Sequence, residues 1–436
     1  MEIKAHCSEL SRVGGRGAVS GMDCTRPAVS TPSARGRRRR STSWLALLAF
    51  VAWASLSPAA PAPLGFGGET MGTTYSVAVP APQQPGAELE ARVAAELAAV
   101  NASMSTYLPQ SELSRFNDSR DTTWHIISPE LMTVLAAAAR VSRETDGAFD
   151  ATVGPVVNLW GFGPEQRLPI PPAADALSAA RQRIGYRLLE LRDAPPRLRK
   201  SRDDVYVDLS AIAKGHAVDR VAAVLEATGH TAYMIEVGGE LRVRGARADG
   251  QPWRVGVAWP ESGRDDVERV LALRDTALAT SGDYRRYFEF EGRRYAHEID
   301  PATGEPVHHA LASVTVLHAS AMLADAYATG LLVLGPERGP ALARALGLAA
   351  LFLVRDGTGL RAIRTGDFPR GDGPPAASAG GAEHEPYDEG HDRDENHRAD
   401  EAGDDEHASG AALEVALPVA VALYAEKGRE YALRDL

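Results

Sequence analysis

The sequence predicts an α+β fold: a mixed-sheet domain with packed helices and antiparallel ribbons, followed by a disordered C-terminal tail. Three observations lead there. Apolar residues recur at helical spacing in some stretches and with period two in others. The two kinds do not alternate strictly, and several period-two stretches lie close together, which favours antiparallel ribbons over a purely parallel sheet. Composition changes abruptly after Asp367-Phe368-Pro369, where residues 371–410 become Gly, Pro, Ala, Asp, Glu and His with almost no large apolar side chain.

Phe66 to Val79 reads as a strand, with Tyr75, Val77 and Val79 alternating. Glu88 to Val100 is a helix whose Leu89, Val93, Leu97 and Val100 share one face. Pro129 to Arg143 is a second helix, with Ser128 as its N-cap. The proline-rich residues 163–173 form a loop, and Ala174 to Ile184 a third helix. Leu188 to Leu198 and Asp204 to Val207 read as strands, and His216 to Thr228 as a helix. Tyr233 to Val237 is an apolar strand running into Gly238-Gly239. Leu241 to Arg244, Trp253 to Ala258, Val270 to Leu278 and Tyr287 to Glu291 make an antiparallel meander. Ala319 to Leu334 and Pro336 to Leu346 are helices, and Ala349 to Val354 closes the domain as a strand.

Charge and cysteine placement limit the function classes. The 436 residues carry a formal net charge of −11, and 12 acids against 2 arginines fall within residues 383–407. The globular part is therefore only mildly acidic, and nothing in it suggests nucleic-acid binding, which would want a basic face. Cys7 and Cys24 both precede the strongly apolar run Trp44 to Leu56. Arg37-Arg-Arg-Arg40 before that run, and the small-residue and proline stretch Ser57 to Pro63 after it, read as an export signal. An uncleaved anchor is the alternative, and Met22 is a second candidate start. The expected location is periplasmic or on the outer face of the cytoplasmic membrane. The mature protein would then have no cysteine, hence no disulfide, thiolate metal site or cysteine nucleophile. The domains expected are a leader over 1–63, a catalytic domain over 64–370, an acidic His-rich linker over 371–410 and a C-terminal segment over 411–436.

The most informative stretch is Asp208-Leu-Ser-Ala-Ile-Ala-Lys-Gly-His-Ala-Val-Asp219, where an extended run gives way to the apolar-periodic Ala217, Val218, Val221, Ala222 and Leu225. Lys214 in the first turn of a helix opposes the macrodipole and calls for a negative partner, a phosphate being the natural candidate. A surface lysine beside an ordinary strand-to-helix turn is the plainer reading. Asp325 and Thr329 stand four apart in a helix and share a face, so a carboxylate and a hydroxyl can meet one Mg²⁺. A solvated face, or a threonine bonded to its own helix, fits that spacing equally. His297 lies in His-Glu-Ile-Asp-Pro, where Asp300-Pro-Ala-Thr-Gly304 is a turn signature. An unperturbed histidine, with a pKa of about 6.5, suits proton transfer, but a lone strand histidine also serves as a hydrogen-bonded surface residue.

Several segments resemble, in order and spacing, the ApbE family of FAD:protein FMN transferases. They are Met71-Gly-Thr-Thr-Tyr75, Met104-Ser-Thr-Tyr107, Gly147 to Phe162, Asp208 to Asp219, Thr280-Ser-Gly-Asp-Tyr284, Tyr295 to Gly304 and Ala324-Asp-Ala-Tyr-Ala-Thr-Gly330. The resemblance covers roughly residues 66 to 370 and implies Mg²⁺-dependent transfer of FMN from FAD to a Thr or Ser hydroxyl of an acceptor protein, with release of AMP. It makes Asp325, Thr329 and the Ala211 carbonyl the metal ligands, and His297 the leading base, with Asp300 beside it in the catalytic motif. It places Met71, Tyr107, Ala148, Phe149, Asp150, Asp208, Lys214 and Ile299 at FAD-contacting positions. Acceptors of the family are subunits of Na⁺-translocating NADH:quinone reductase (Nqr) or Rnf type and periplasmic electron-transfer proteins. Two departures stand out: Glu298, expected to point outward, replaces an apolar residue, and no lipid-anchoring cysteine follows the apolar run. An FAD-binding or flavin-trafficking protein without transfer activity is the alternative. The family lacks the His/Asp tail, which reads as a solvating linker or a weak metal site.

Overall fold

The computed structural model describes residues 62–371, apart from 165, 166, 169, 259, 261–266 and 358. The leader up to residue 61, most of the acidic linker and the C-terminal segment lie outside the described residues. In chain order the elements begin β1 (Leu64–Thr70), β2 (Thr73–Val79), α1 (Gly86–Met104), α2 (Glu112–Asp118), β3 (His125–Ile126), α3 (Pro129–Glu144), α4 (Gly154–Leu159) and α5 (Ala174–Arg181). Next come β4 (Leu189–Arg192), β5 (Arg197–Lys200), α6 (Ala213–Ala227), β6 (Tyr233–Val237), β7 (Glu240–Arg244), β8 (Trp253–Ala258), β9 (Val267–Leu273) and β10 (Thr276–Gly282). The chain closes with β11 (Tyr287–Phe290), β12 (Arg293–Ala296), β13 (Ile299–Asp300), β14 (Glu305–Pro306), β15 (Leu311–His318), α7 (Ala321–Ala345), β16 (Ala349–Asp356) and β17 (Gly359–Thr365).

Eight strands form the central sheet in the order β1-β2-β6-β7-β10-β15-β16-β17. The α+β class holds, but the sheet expected to be mixed is antiparallel at every pairing. Each long excursion brings the chain back at the sheet end it left, so strand direction alternates. One face carries the main core, where Val77, Ile235, Val237, Ala279, Val314 and Phe352 meet the apolar stripes of α1, α3, α6 and α7. The other face is covered by the β8–β9 ribbon, whose Trp253, Val255, Val257, Leu271 and Leu273 pack on Met234, Leu241, Leu278 and Leu351. A satellite core joins Trp160, Phe162, Tyr295 and Ile299, with Trp160 and Tyr295 stacked at 5.4 Å between ring centroids.

Local chemistry accounts for the boundaries. The α1 stripe of Leu89, Val93, Leu97 and Val100 is wholly buried, and the Ser128 side chain caps α3 by accepting from the Leu131 N–H. The long C-terminal helix breaks at Gly335 (φ 78°, ψ −174°), which separates its two predicted halves. Among the described residues no helix is long and apolar enough to cross a membrane.

Several expectations need correction. Phe66 to Val79 is two strands, turned at Met71 (φ 50°) and Gly72 (φ 72°). A two-residue loop with both φ positive matches strand twist, but an apolar Met in it hides the turn from a hydropathy reading. Val270 to Leu278 likewise contains a turn, at Arg274-Asp275, between β9 and β10. Leu188 to Leu198 is a hairpin around the Asp193 to Pro196 turn. Asp204 to Val207 is not a ladder strand, because the Asn117 side chain takes the place of a neighbour. Its Oδ1 accepts from the Val207 N–H at 2.8 Å and its amide donates to the Val207 carbonyl at 2.8 Å.

Candidate functional site

The sheet end formed by the β1–β2 turn, the β6–β7 turn and the end of β10 meets the start of α6 and the first half of α7. Close approach requires glycine at two points. A Cβ on Gly215 would fall 2.2 Å from the Ala321 carbonyl oxygen, so glycine lets α6 lie against the start of α7. A Cβ on Gly238 (φ 57°) would fall 2.8 Å from Thr73 Cγ2 and 3.1 Å from Lys214 Cδ, so the lysine stem crosses this turn. Asp219 then fastens the two helices together, accepting from Ser320 Oγ (2.6 Å) and from the N–H groups of Ala321 (3.0 Å) and Met322 (3.1 Å).

Into this junction project charged groups from three elements. Lys214 Nζ lies 2.7 Å from Glu240 Oε1, with the lysine side chain 29% exposed and the glutamate 3%. Asp325 is buried, and its Oδ2 accepts from the Gly215 N–H at 3.1 Å, one of the donors that a helix start leaves unpaired. Thr329 Oγ1 lies 3.0 Å from Ser281 Oγ. Burial works against the Lys214 charge, yet Asp325 and Glu240 together raise its pKa above the ordinary lysine value. Burial raises the Asp325 carboxyl, opposed by Lys214. Burial also pushes Glu240 up to about 7, opposed by Lys214. Glu236 on β6 is pushed up to about 8 by burial, although its Oε1 accepts from the Gly239 N–H at 2.6 Å. The Arg285 guanidinium covers that turn, since a Cβ on Gly239 would lie 2.7 Å from its Nη1.

The negative partner that the position of Lys214 calls for is thus Glu240, with Asp325 adding to the field. The structure brings other expected residues to the same region. Met71 sits at the strained turn two residues before Thr73 and packs against the main core. Phe149 is buried against α7, its Cβ 3.2 Å from where a Gly330 Cβ would stand. Ala148 lies in the turn after α3, its N–H donating to the Thr145 carbonyl. The Asp208 N–H donates to the Ala151 carbonyl at 2.7 Å, tying the two loops together, and its Oδ1 accepts from the Ser210 N–H. Asp150 accepts from Thr152 at Oδ1 and from the Tyr186 N–H at Oδ2, so both of its oxygens are engaged within the chain. Ala211 stands one residue before Ile212, the N-cap of α6. Tyr107 differs in burial: it is 60% exposed after α1, its N–H donating to Ser105 Oγ.

His297, Ile299 and Asp300 occupy the β12–β13 region. The His297 N–H donates to the Arg286 carbonyl, next to Arg285. Its ring Nδ1 lies 3.1 Å from the same carbonyl oxygen, which can only accept. Nδ1 therefore carries a proton, so in the neutral ring Nε2 is the nitrogen that can accept one. Glu298 does not point outward as expected. It is buried, with Oε2 3.1 Å from Nδ1 but not aligned for a hydrogen bond. Ile299 belongs to the satellite core, and Asp300 caps its own turn through Ala302 and Gly304.

A model of the ApbE family matches residues 71–352. The chain belongs to the ApbE family. Its curated relative in Vibrio cholerae, named FAD:protein FMN transferase, is 44% identical over 305 residues, spanning 69% of this chain and 90% of that protein. Among solved structures, the flavin transferase ApbE from Vibrio cholerae is 42% identical with a TM-score of 0.65, covering 70% of this chain and 98% of that one. The apo flavinyl transferase ApbE of Pseudomonas stutzeri is 40% identical with a TM-score of 0.64, covering 70% and 94%.

In this ApbE chain the Asp325 carboxylate and the Thr329 hydroxyl are hard oxygens of the kind a divalent cation takes. Among the described residues no three His, Cys, Asp or Glu side chains group as a metal site. A cation here would draw further oxygens from substrate or water, as Mg²⁺ at phosphate sites does. Glu236, Arg285 and the role of Glu240 escaped the sequence reading. The available signal was a glutamate inside the apolar strand Tyr233-Met-Ile-Glu-Val237, where a carboxylate is costly to bury.

Proposed function

We propose that the protein transfers FMN from FAD to a serine or threonine hydroxyl of an acceptor flavoprotein and releases AMP, with Mg²⁺ held by Asp325, Thr329 and the Ala211 carbonyl. The observation that carries this reading is the junction of Lys214, Asp325 and Thr329 at the start of α6, in a chain whose relatives bear the transferase name. The Lys214 side chain is 29% exposed, and a phosphate suits its ammonium as a partner. Mg²⁺ supplies neutralisation of charge on the phosphate oxygens when bound. His297 Nε2 takes the proton of the acceptor hydroxyl. The hydroxyl oxygen bonds to the FMN phosphorus as the bridging P–O bond breaks, and AMP leaves with the bridging oxygen. Met71 and Phe149 offer apolar surface to the flavin or adenine, with Tyr107, Ala148, Asp150, Asp208 and Ile299 completing the FAD contacts. The reading includes export, on the strength of Arg37 to Pro63, and acceptors of the Nqr, Rnf or periplasmic electron-transfer type.

The test incubates the protein with FAD, Mg²⁺ and an acceptor domain carrying a flavinylation threonine, following acceptor mass and AMP together. A mass gain of one FMN phosphoester with equimolar AMP supports transfer. FAD binding with neither product, and no metal-dependent FAD hydrolysis, refutes it in favour of a flavin-binding protein.

A further inference from the structure

Glu240 lies two residues beyond Gly238 on β7, 26 positions from Lys214, and belongs to no predicted contact set. Its carboxylate is 3% exposed. Oε1 meets Lys214 Nζ at 2.7 Å, while Oε2 is buried without a hydrogen-bond partner. A buried carboxylate half-satisfied in this way is a poor device for stability, because desolvation offsets much of the ion-pair energy. What it does well is fix direction. Lys214 is attracted by two carboxylates: Glu240, which its ammonium touches, and Asp325. An ammonium free to swing would pair with Asp325 and neutralise the carboxylate that a divalent cation needs. The stem over Gly238 and the head 2.7 Å from Glu240 Oε1 direct it towards β7.

We propose that Glu240 is the positioning residue for Lys214: it holds the ammonium on the β7 side of the junction, aimed at substrate phosphate, and keeps it off Asp325. This rests on the reading of Lys214 as a phosphate-binding lysine. FAD affinity of the full-length protein is measured by equilibrium dialysis with Mg²⁺ present, for the wild type, Glu240→Gln, Lys214→Met and the double variant, with circular dichroism as a check of folding. Glu240→Gln is expected to weaken FAD binding by about tenfold in the wild-type background, in line with loss of a charge-assisted contact. It should change binding by less than about twofold in the Lys214→Met background, because coupled residues are not additive. The Mg²⁺ concentration needed for FAD binding should rise in Glu240→Gln and return towards the wild-type value in the double variant, where no ammonium competes. If the glutamine variant does not fold, Glu240→Asp keeps the charge but shortens its reach, and the same background dependence is expected. Equal loss in both backgrounds, or FAD binding unchanged by Glu240→Gln while Lys214→Met weakens it, overturns the inference. If Lys214→Met binds FAD like the wild type, the reading of Lys214 falls first and the inference with it.

Discussion

Glu236 offers the sharpest energetic test of this site. Its carboxyl is 2% exposed, accepts from the Gly239 N–H and is pushed by burial from an ordinary value of 4.5 to about 8. The folded protein therefore holds the Glu236 proton more tightly than the unfolded chain does. Stability from this group is fully present below pH 4.5 and is lost as pH rises towards 8, since the native state binds more protons throughout that window. Glu236→Gln keeps an acceptor for Gly239 and removes the titration. Each pH unit inside the window is worth about 1.36 kcal/mol. From pH 5.5 to 7.5, the unfolding free energy of the wild type should fall relative to the glutamine variant by roughly 2 to 3 kcal/mol. Urea denaturation of both proteins at several pH values, followed by tryptophan fluorescence, measures this difference, and subtracting the two curves removes titrations common to both. Parallel curves across pH 5.5–7.5 would refute the claim that Glu236 is buried uncharged.

Three further outcomes are expected. Asp325→Ala should abolish the Mg²⁺ response of FMN transfer by removing the one carboxylate among the proposed ligands, and full activity at low Mg²⁺ would remove Asp325 from the metal site. His297→Ala should bind FAD as the wild type does yet transfer FMN about 10²- to 10⁴-fold more slowly, the usual contribution of a general base; an equal rate would leave His297 a structural residue. Gly215→Ala places a methyl 2.2 Å from the Ala321 carbonyl oxygen, so helix α6 must move. A loss of at least about 2 kcal/mol is expected, read as a lowered denaturation midpoint, and an unchanged midpoint would show that the contact relaxes freely.

Elements with uniform periodicity were legible in the chain itself. Leu89, Val93, Leu97 and Val100 predicted α1 because a helix repeats every 3.6 residues, and all four are buried. The turn at Met71-Gly72 was missed because its first residue is apolar. Asp204 to Val207 was misread because an extended backbone can bond to a side chain, here Asn117, instead of a strand. The sequence pattern hides strand β15: Leu311 to Val316 is buried on both faces, yet Ser313 and Thr315 interrupt its apolar run, so it does not read as the continuous apolar stretch of a fully buried strand.

By itself, the sequence determined the α+β class, the caps and stripes of the main helices, the family, and the residues Lys214, Asp325, Thr329 and His297 as those worth attention. The helix stripes, the helix start at Lys214 and the shared face of Asp325 and Thr329 follow from spacing along the chain, which backbone geometry converts directly into position; the family, and His297 with it, follow from the resemblance of the motifs. Only the tertiary structure decided that Lys214 pairs with Glu240, that Asp325 reaches the Gly215 N–H across 110 positions, and that Glu236 and Glu298 are buried. Those facts depend on which strand ends and helix starts converge, and on how far water is excluded there. Burial sets the cost of each charge, and it is a property of the packed assembly of elements that no local pattern encodes.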